Sequence, residues 1–184
     1  MEADLRYPVG KYRRPGELTS DQRLEFIGAI EQTPQHLASA LKNLSAGQLD
    51  TPYRPGGWTV RQVVHHLPDS HMNAYVRMKL ALTEDEPTIK TYDEARWAEL
   101  PDGKSSPIEP SLAILESLHK RWVLLLKSLA PPDWARKLRH PDHEKPMSLD
   151  DSLALTLGTE NITSRTSPPS ANATPGNNTA THEP

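Results

Sequence analysis

Cysteine is absent from all 184 residues. Disulfides, thiolate nucleophiles and cysteine-ligated metals are therefore excluded. A transition-metal site in this chain would have to draw on His, Asp or Glu. A basic excess is missing too: 21 basic against 24 acidic residues leave a net charge of -3 and a pI near 6.2. General nucleic-acid binding usually carries the opposite sign. No window approaches the ~18 to 20 apolar residues of a membrane span. The opening stretch, MEADLRYPVGKYRRPGE, lacks the apolar core of a secretory signal. The expectation is a soluble, cytoplasmic protein. There is no P-loop, no G-x-G-x-x-G and no G-x-S-x-G, and no internal repeat. Apolar residues are scarce, at 35% of the chain, which is low for a compact domain.

Proline, by contrast, is abundant, with 18 residues, and the length suits one domain of ordinary size. The periodicity predicts helices and no convincing strand. Met1 to Glu17 reads as an extended arm. A first helix starts near Ser20, capped by Thr19 or Ser20 with Leu18 as a staple. Leu24, Ile27 and Ile30 give it an apolar face, continued by Leu37, Leu41 and Leu44. Pro34 falls inside this pattern and predicts a kink or a break; Gly47 reads as the stop. Thr59 caps a second helix with Val60, Val63, Val64, Leu67, Val76, Leu80 and Leu82 on one side and Pro68 in its interior. Residues 84–110 read as a long connection, with a helical turn at Tyr92, Asp93 and Trp97. A third helix is predicted over Ser111 to Leu129, with Leu112, Leu115, Leu118, Trp122, Leu125 and Leu129 on one face. Ser148 and Asp151 start a fourth as a capping box, with Leu149, Leu153 and Leu157 at its apolar positions, and it stops at Gly158. Thr159 to Pro184 is rich in Ser, Thr, Pro, Asn and Ala and is expected to be disordered. The fold class expected is all-α, a four-helix bundle whose last helix is truncated: domain 1–158, tail 159–184.

Chemistry concentrates in GGWTVRQVVHHLPDSHMNAY. His65, His66 and His71 share one helix with Asp69. His65 and Asp69 stand at i, i+4 and can face each other, pairing if this is only a polar helix face. His66, Ser70 and Asn73 form a neighbouring stripe. Neutral imidazole is the commonest transition-metal ligand, and a bundle core is a usual place for such a site. The bland alternative is a polar helix face. Trp58, Trp97, Trp122 and Trp134 read as core or pocket-wall residues, and His140-Pro141-Asp142-His143 as an exposed polar loop.

PYRPGGWTVRQVVHHLPDSHMNAYVRMKLALTE, with YDEARWAEL around Tyr92 and SLHKRWVLLLKSL around Trp122, resembles the DinB/YfiT-like group of metal-dependent hydrolases. The likeness runs from about Tyr7 to about Leu155. It implies a cytoplasmic homodimeric four-helix bundle acting on a small-molecule substrate. It also implies a divalent metal, zinc or nickel, held by three histidines. The first would be His66; the other two would be an H-x-x-x-H pair on the fourth helix. His65 and His71 match family residues and would act around the ligands rather than as ligands. Pro68 stands where relatives are expected to have Ala. Some relatives are thought to be thiol S-transferases, which makes metal-dependent thiol transfer the alternative activity.

The H-x-x-x-H pair is absent. The chain instead reads LTLGTENITSRTSPPSANA, with only His182 beyond it. One imidazole does not make a stable zinc site, which normally takes three or more protein ligands. Codons can be chosen for Leu157 to Ser167 that, shifted by one base, read WHGKHHVAHI, which contains the missing pair. The hypothesis is a single-base deletion near Leu155 that replaced the metal-binding helix. On this reading the chain is an impaired hydrolase, or a non-catalytic remnant or binding protein without metal. No catalytic residue is assigned; Asp69 and Tyr92 are inferred neighbours of the site.

Overall fold

Pro34 does not break the first helix. In the computed structural model, which describes residues 16–156, α1 runs unbroken over Ser20–Leu41. Its start is fixed by Thr19, whose side chain accepts from the Gln22 backbone N–H while the Gln22 side chain returns to the Thr19 backbone. Such a reciprocal box satisfies two of the donors a helix start leaves open. The same Ser/Thr-x-x-Gln device recurs twice. Ser45 and Gln48 start the short α2, Ala46–Leu49, and Thr59 and Gln62 start α3, Val60–Thr83. Gly47 therefore lies within a helical turn instead of ending one. α3 also runs unbroken through its proline, Pro68.

The long connection holds two short helices, α4 (Glu94–Ala98) and α5 (Pro101–Lys104). α6 covers Glu109–Lys127, slightly earlier than the predicted span, with a proline in its first turn. A 3-10 turn over Pro131–Ala135 follows. Two strands too short to show a period, β1 (Lys137–Leu138) and β2 (Met147–Ser148), pair antiparallel, with Lys137 opposite Ser148 and Leu138 opposite Met147. Among the described residues they are an addition to the expected all-α fold. The last helix, α7, is described over 149–156. Ser148 and Asp151 cap it as expected: Asp151 accepts from the Ser148 backbone at 3.1 Å and Ser148 Oγ accepts from the Asp151 backbone at 3.1 Å.

α6 packs against both α1 and α3. Its buried positions are Leu115, His119, Trp122 and Leu126, joined by Val123. The main core gathers Ile27 and Ile30 of α1, Met78 and Ala81 of α3, Trp122 and Leu126 of α6, and Leu149 and Leu153 of α7. Leu18 is buried against it, as a staple would be, whereas Leu24 is 63% exposed and belongs to the outer face of α1. A second cluster, Leu41, Leu49, Val64 and Ile108, closes the other end. Asp150, at the start of α7, is buried and takes a two-pronged hydrogen bond from Arg23 at 2.7 Å on each oxygen. The Leu18 backbone N–H adds a third at 3.1 Å. No helix of the described residues is long and apolar enough to cross a membrane. The stop at Gly158, the tail 159–184, His182 and nearly all of the N-terminal arm lie outside the described residues.

Candidate functional site

α3 carries one polar stripe at helical spacing: His66, Asp69 and Ser70, Asn73 and Arg77. His66 lies under Trp58, with ring centroids 4.8 Å apart. Burial holds the His66 imidazole below its usual pKa, and the Glu94 carboxylate partly opposes that shift. Asp69 is pushed up by burial and then by Asp102. The Tyr92 phenol, which stands beside Ser70, Arg77 and Asp69, is pushed up by burial first and by Glu94 second. Its ring packs on Trp97 at 4.4 Å. Arg77 is half-buried and donates to the Lys90 carbonyl at 3.1 Å, and burial lowers it against the pull of Tyr92, Glu94 and Asp142. The stripe thus offers an imidazole kept neutral, a carboxyl that ionises late, a phenol and a guanidinium under an aromatic roof. Trp58 and Trp97 line this region, while Trp122 and Trp134 are core residues.

His65 does not pair with Asp69. Its Nε2 donates to the Ser106 carbonyl at 3.1 Å and its Nδ1 faces the Ser111 hydroxyl at 2.7 Å. Both partners lie more than forty positions along the chain, which is why i, i+4 spacing favoured the wrong one. The bond clips α3 to the start of α6. His71 points into the bundle, stacked on His119 with centroids 4.9 Å apart and edge-on to Trp122 at 6.0 Å. The sequence reading passed over His119. It placed Leu118 on the buried face, and the buried series in fact runs 115, 119, 122, 126. His140 and His143 come within 5.0 Å of one another, with His140 half-buried and His143 exposed.

Among the described residues a three-imidazole metal centre is not assembled: no group of three His, Asp or Glu side chains converges closely enough to hold a metal ion. His66 is the single resemblance-derived ligand position they contain. The donor set of the described residues therefore does not fit a resident zinc or nickel. A groove of about 890 Å³ between α1 and α6, lined by residues including Pro34, Leu112, His119 and Leu124, lies apart from His66.

Comparison with known proteins agrees with this architecture. The DinB superfamily description matches residues 29–161. A "Putative metal-dependent hydrolase" of Bacillus mycoides (strain KBAB4) is 57% identical over 84% of this chain and 86% of its own length. One of the same name from Bacillus cereus (strain AH820) is 57% identical over 76% of this chain and 80% of its own. Among solved structures, YfiT from Bacillus subtilis superposes with a TM-score of 0.86 at 43% identity, covering 89% of this chain and 93% of that one. It is described as a probable metal-dependent hydrolase with an unusual four-helix bundle topology.

Proposed function

The chain belongs to the DinB superfamily, and from that premise we propose that it is a metal-dependent hydrolase by descent whose metal centre is incomplete. One observation carries the reading. His66, the ligand position on α3, stands half-buried under Trp58 with its imidazole held neutral, yet among the described residues no group of three donors forms around it. A neutral ring with a free lone pair is the form a divalent cation requires. Beyond residue 157 the sequence supplies a single histidine, His182. We attribute the loss to a single-base deletion near Leu155, since codons can be chosen for Leu157 to Ser167 whose shifted frame reads H-x-x-x-H. An intact site would take zinc or nickel and a small-molecule substrate; in this chain the activity is impaired.

Calorimetric titration with zinc and with nickel tests the reading. The chain as it stands is expected to show no stoichiometric binding tighter than a single imidazole gives. A frame-restored chain is expected to bind one ion, and His66→Ala in that background to lose it. Tight one-to-one binding by the present chain would overturn the proposal. Sequencing the gene across the codons for Leu153 to Ser170 decides the deletion: absence of histidine codons in the shifted frame ends it.

A further inference from the structure

Every proline inside a helix removes the N–H that would have bonded the carbonyl four residues earlier. For Pro34 that carbonyl belongs to Ile30, which is fully buried in the core. An unpaired buried carbonyl is costly. It is paired here from outside the helix: His119 Nδ1 lies 2.6 Å from the Ile30 oxygen. A carbonyl can only accept, so Nδ1 carries the proton.

The assignment propagates. Burial keeps His119 in its neutral form, so with Nδ1 protonated its Nε2 is a bare lone pair. That Nε2 is 2.7 Å from His71 Nδ1. His71 must therefore donate from Nδ1. Burial, reinforced by the His119 and His66 rings, keeps His71 neutral as well. Its own Nε2 is then bare too. That atom is buried and has no hydrogen-bond partner among the described residues.

We propose that Pro34 and His119 are positioning residues that fix His71 as an obligate acceptor at Nε2. The order of hydrogen bonds is His71 Nδ1–H to His119 Nε2, then His119 Nδ1–H to Ile30 C=O. It ties α3, α6 and α1 into one polar chain with a defined direction. Any hydrogen-bonding group that engages His71 Nε2 must bring the proton: a hydroxyl, an amide N–H or a protonated amine. The inference does not depend on the metal reading, because it concerns which ring nitrogens hold protons in the chain as it is.

Long-range proton–nitrogen correlation spectra of the full chain at pH 7 test it. Both His71 and His119 are expected to show a protonated Nδ1 and a pyridine-like Nε2, the rarer imidazole tautomer. The His119 Nδ1 proton, in a bond of 2.6 Å, is expected far downfield. His119→Phe removes the acceptor and is expected to return His71 to a mixture of tautomers, whereas His119→Gln, which keeps a donor and an acceptor, holds it. A purely space-filling role for His119 would make these two variants alike. Pro34→Ala returns an N–H to compete for the Ile30 carbonyl and improves helix propensity, so the fold is retained. The His119 Nδ1 proton is then expected to move upfield. A protonated Nε2 on His71 in the unmodified chain overturns the proposal. An unmoved His119 resonance in Pro34→Ala overturns the part assigned to Pro34.

Discussion

Two buried histidines on α3 hold opposite ends of their rings to their partners. His65 donates from Nε2 to Ser106; His71 donates from Nδ1 to His119. Backbone carbonyls set both choices, directly for His65 and through His119 for His71. A consequence for acid stability follows from the second. Burial lowers His71 to about 3, below the ~6.5 of a free imidazole. The unfolded chain therefore binds this proton first, and stability is lost as pH falls from about 6.5 towards 3. The midpoint of thermal unfolding is expected to drop through that window. In His71→Asn, which keeps a donor near the Nδ1 position, the drop is expected to be shallower. Equal pH dependence of the two proteins would refute the assignment.

At the scale of elements, the helix starts depend on short side chains acting locally. Thr59 and Gln62 exchange hydrogen bonds, and Gln62 also donates to the Ala98 carbonyl at 2.9 Å and to Glu99 at 3.0 Å. Thr59→Ala is expected to cost about 1 kcal/mol, read from urea unfolding. Asp150→Asn is expected to cost more, about 3 kcal/mol, because it leaves the Arg23 guanidinium, largely buried, without its carboxylate. These starts were legible in the sequence, at Thr19, Thr59 and Ser148, because a cap and its box lie within four residues. The apolar face of α6 was nearly so. His65, His119 and Arg23 were not, since Ser111, Ile30 and Asp150 reach them from distant parts of the chain. The two-residue strands were equally hidden. For the candidate site, spacing alone put His66, Ser70 and Asn73 on a common stripe, while the contributions of Arg77, Glu94 and Trp58 required the fold.

For the whole molecule, the described core closes with α7. Leu149 and Leu153 are fully buried among α1, α3 and α6 residues. A chain ending at residue 156 is expected to melt cooperatively, as followed by circular dichroism, and one ending at residue 147 to lose that cooperativity. If both melted alike, α7 would not be part of the folding unit. The Arg23–Asp150 pair joins residues 127 positions apart. On a ribosome adding roughly 5–20 residues per second, the first helix would wait on the order of ten seconds for its carboxylate to emerge. Throughout that interval Leu18, Ile27 and Ile30 have no complete core to enter. Synthesis of this chain therefore leaves its opening helix dependent on whatever shields apolar surface in the cell, until almost all of the domain has been made.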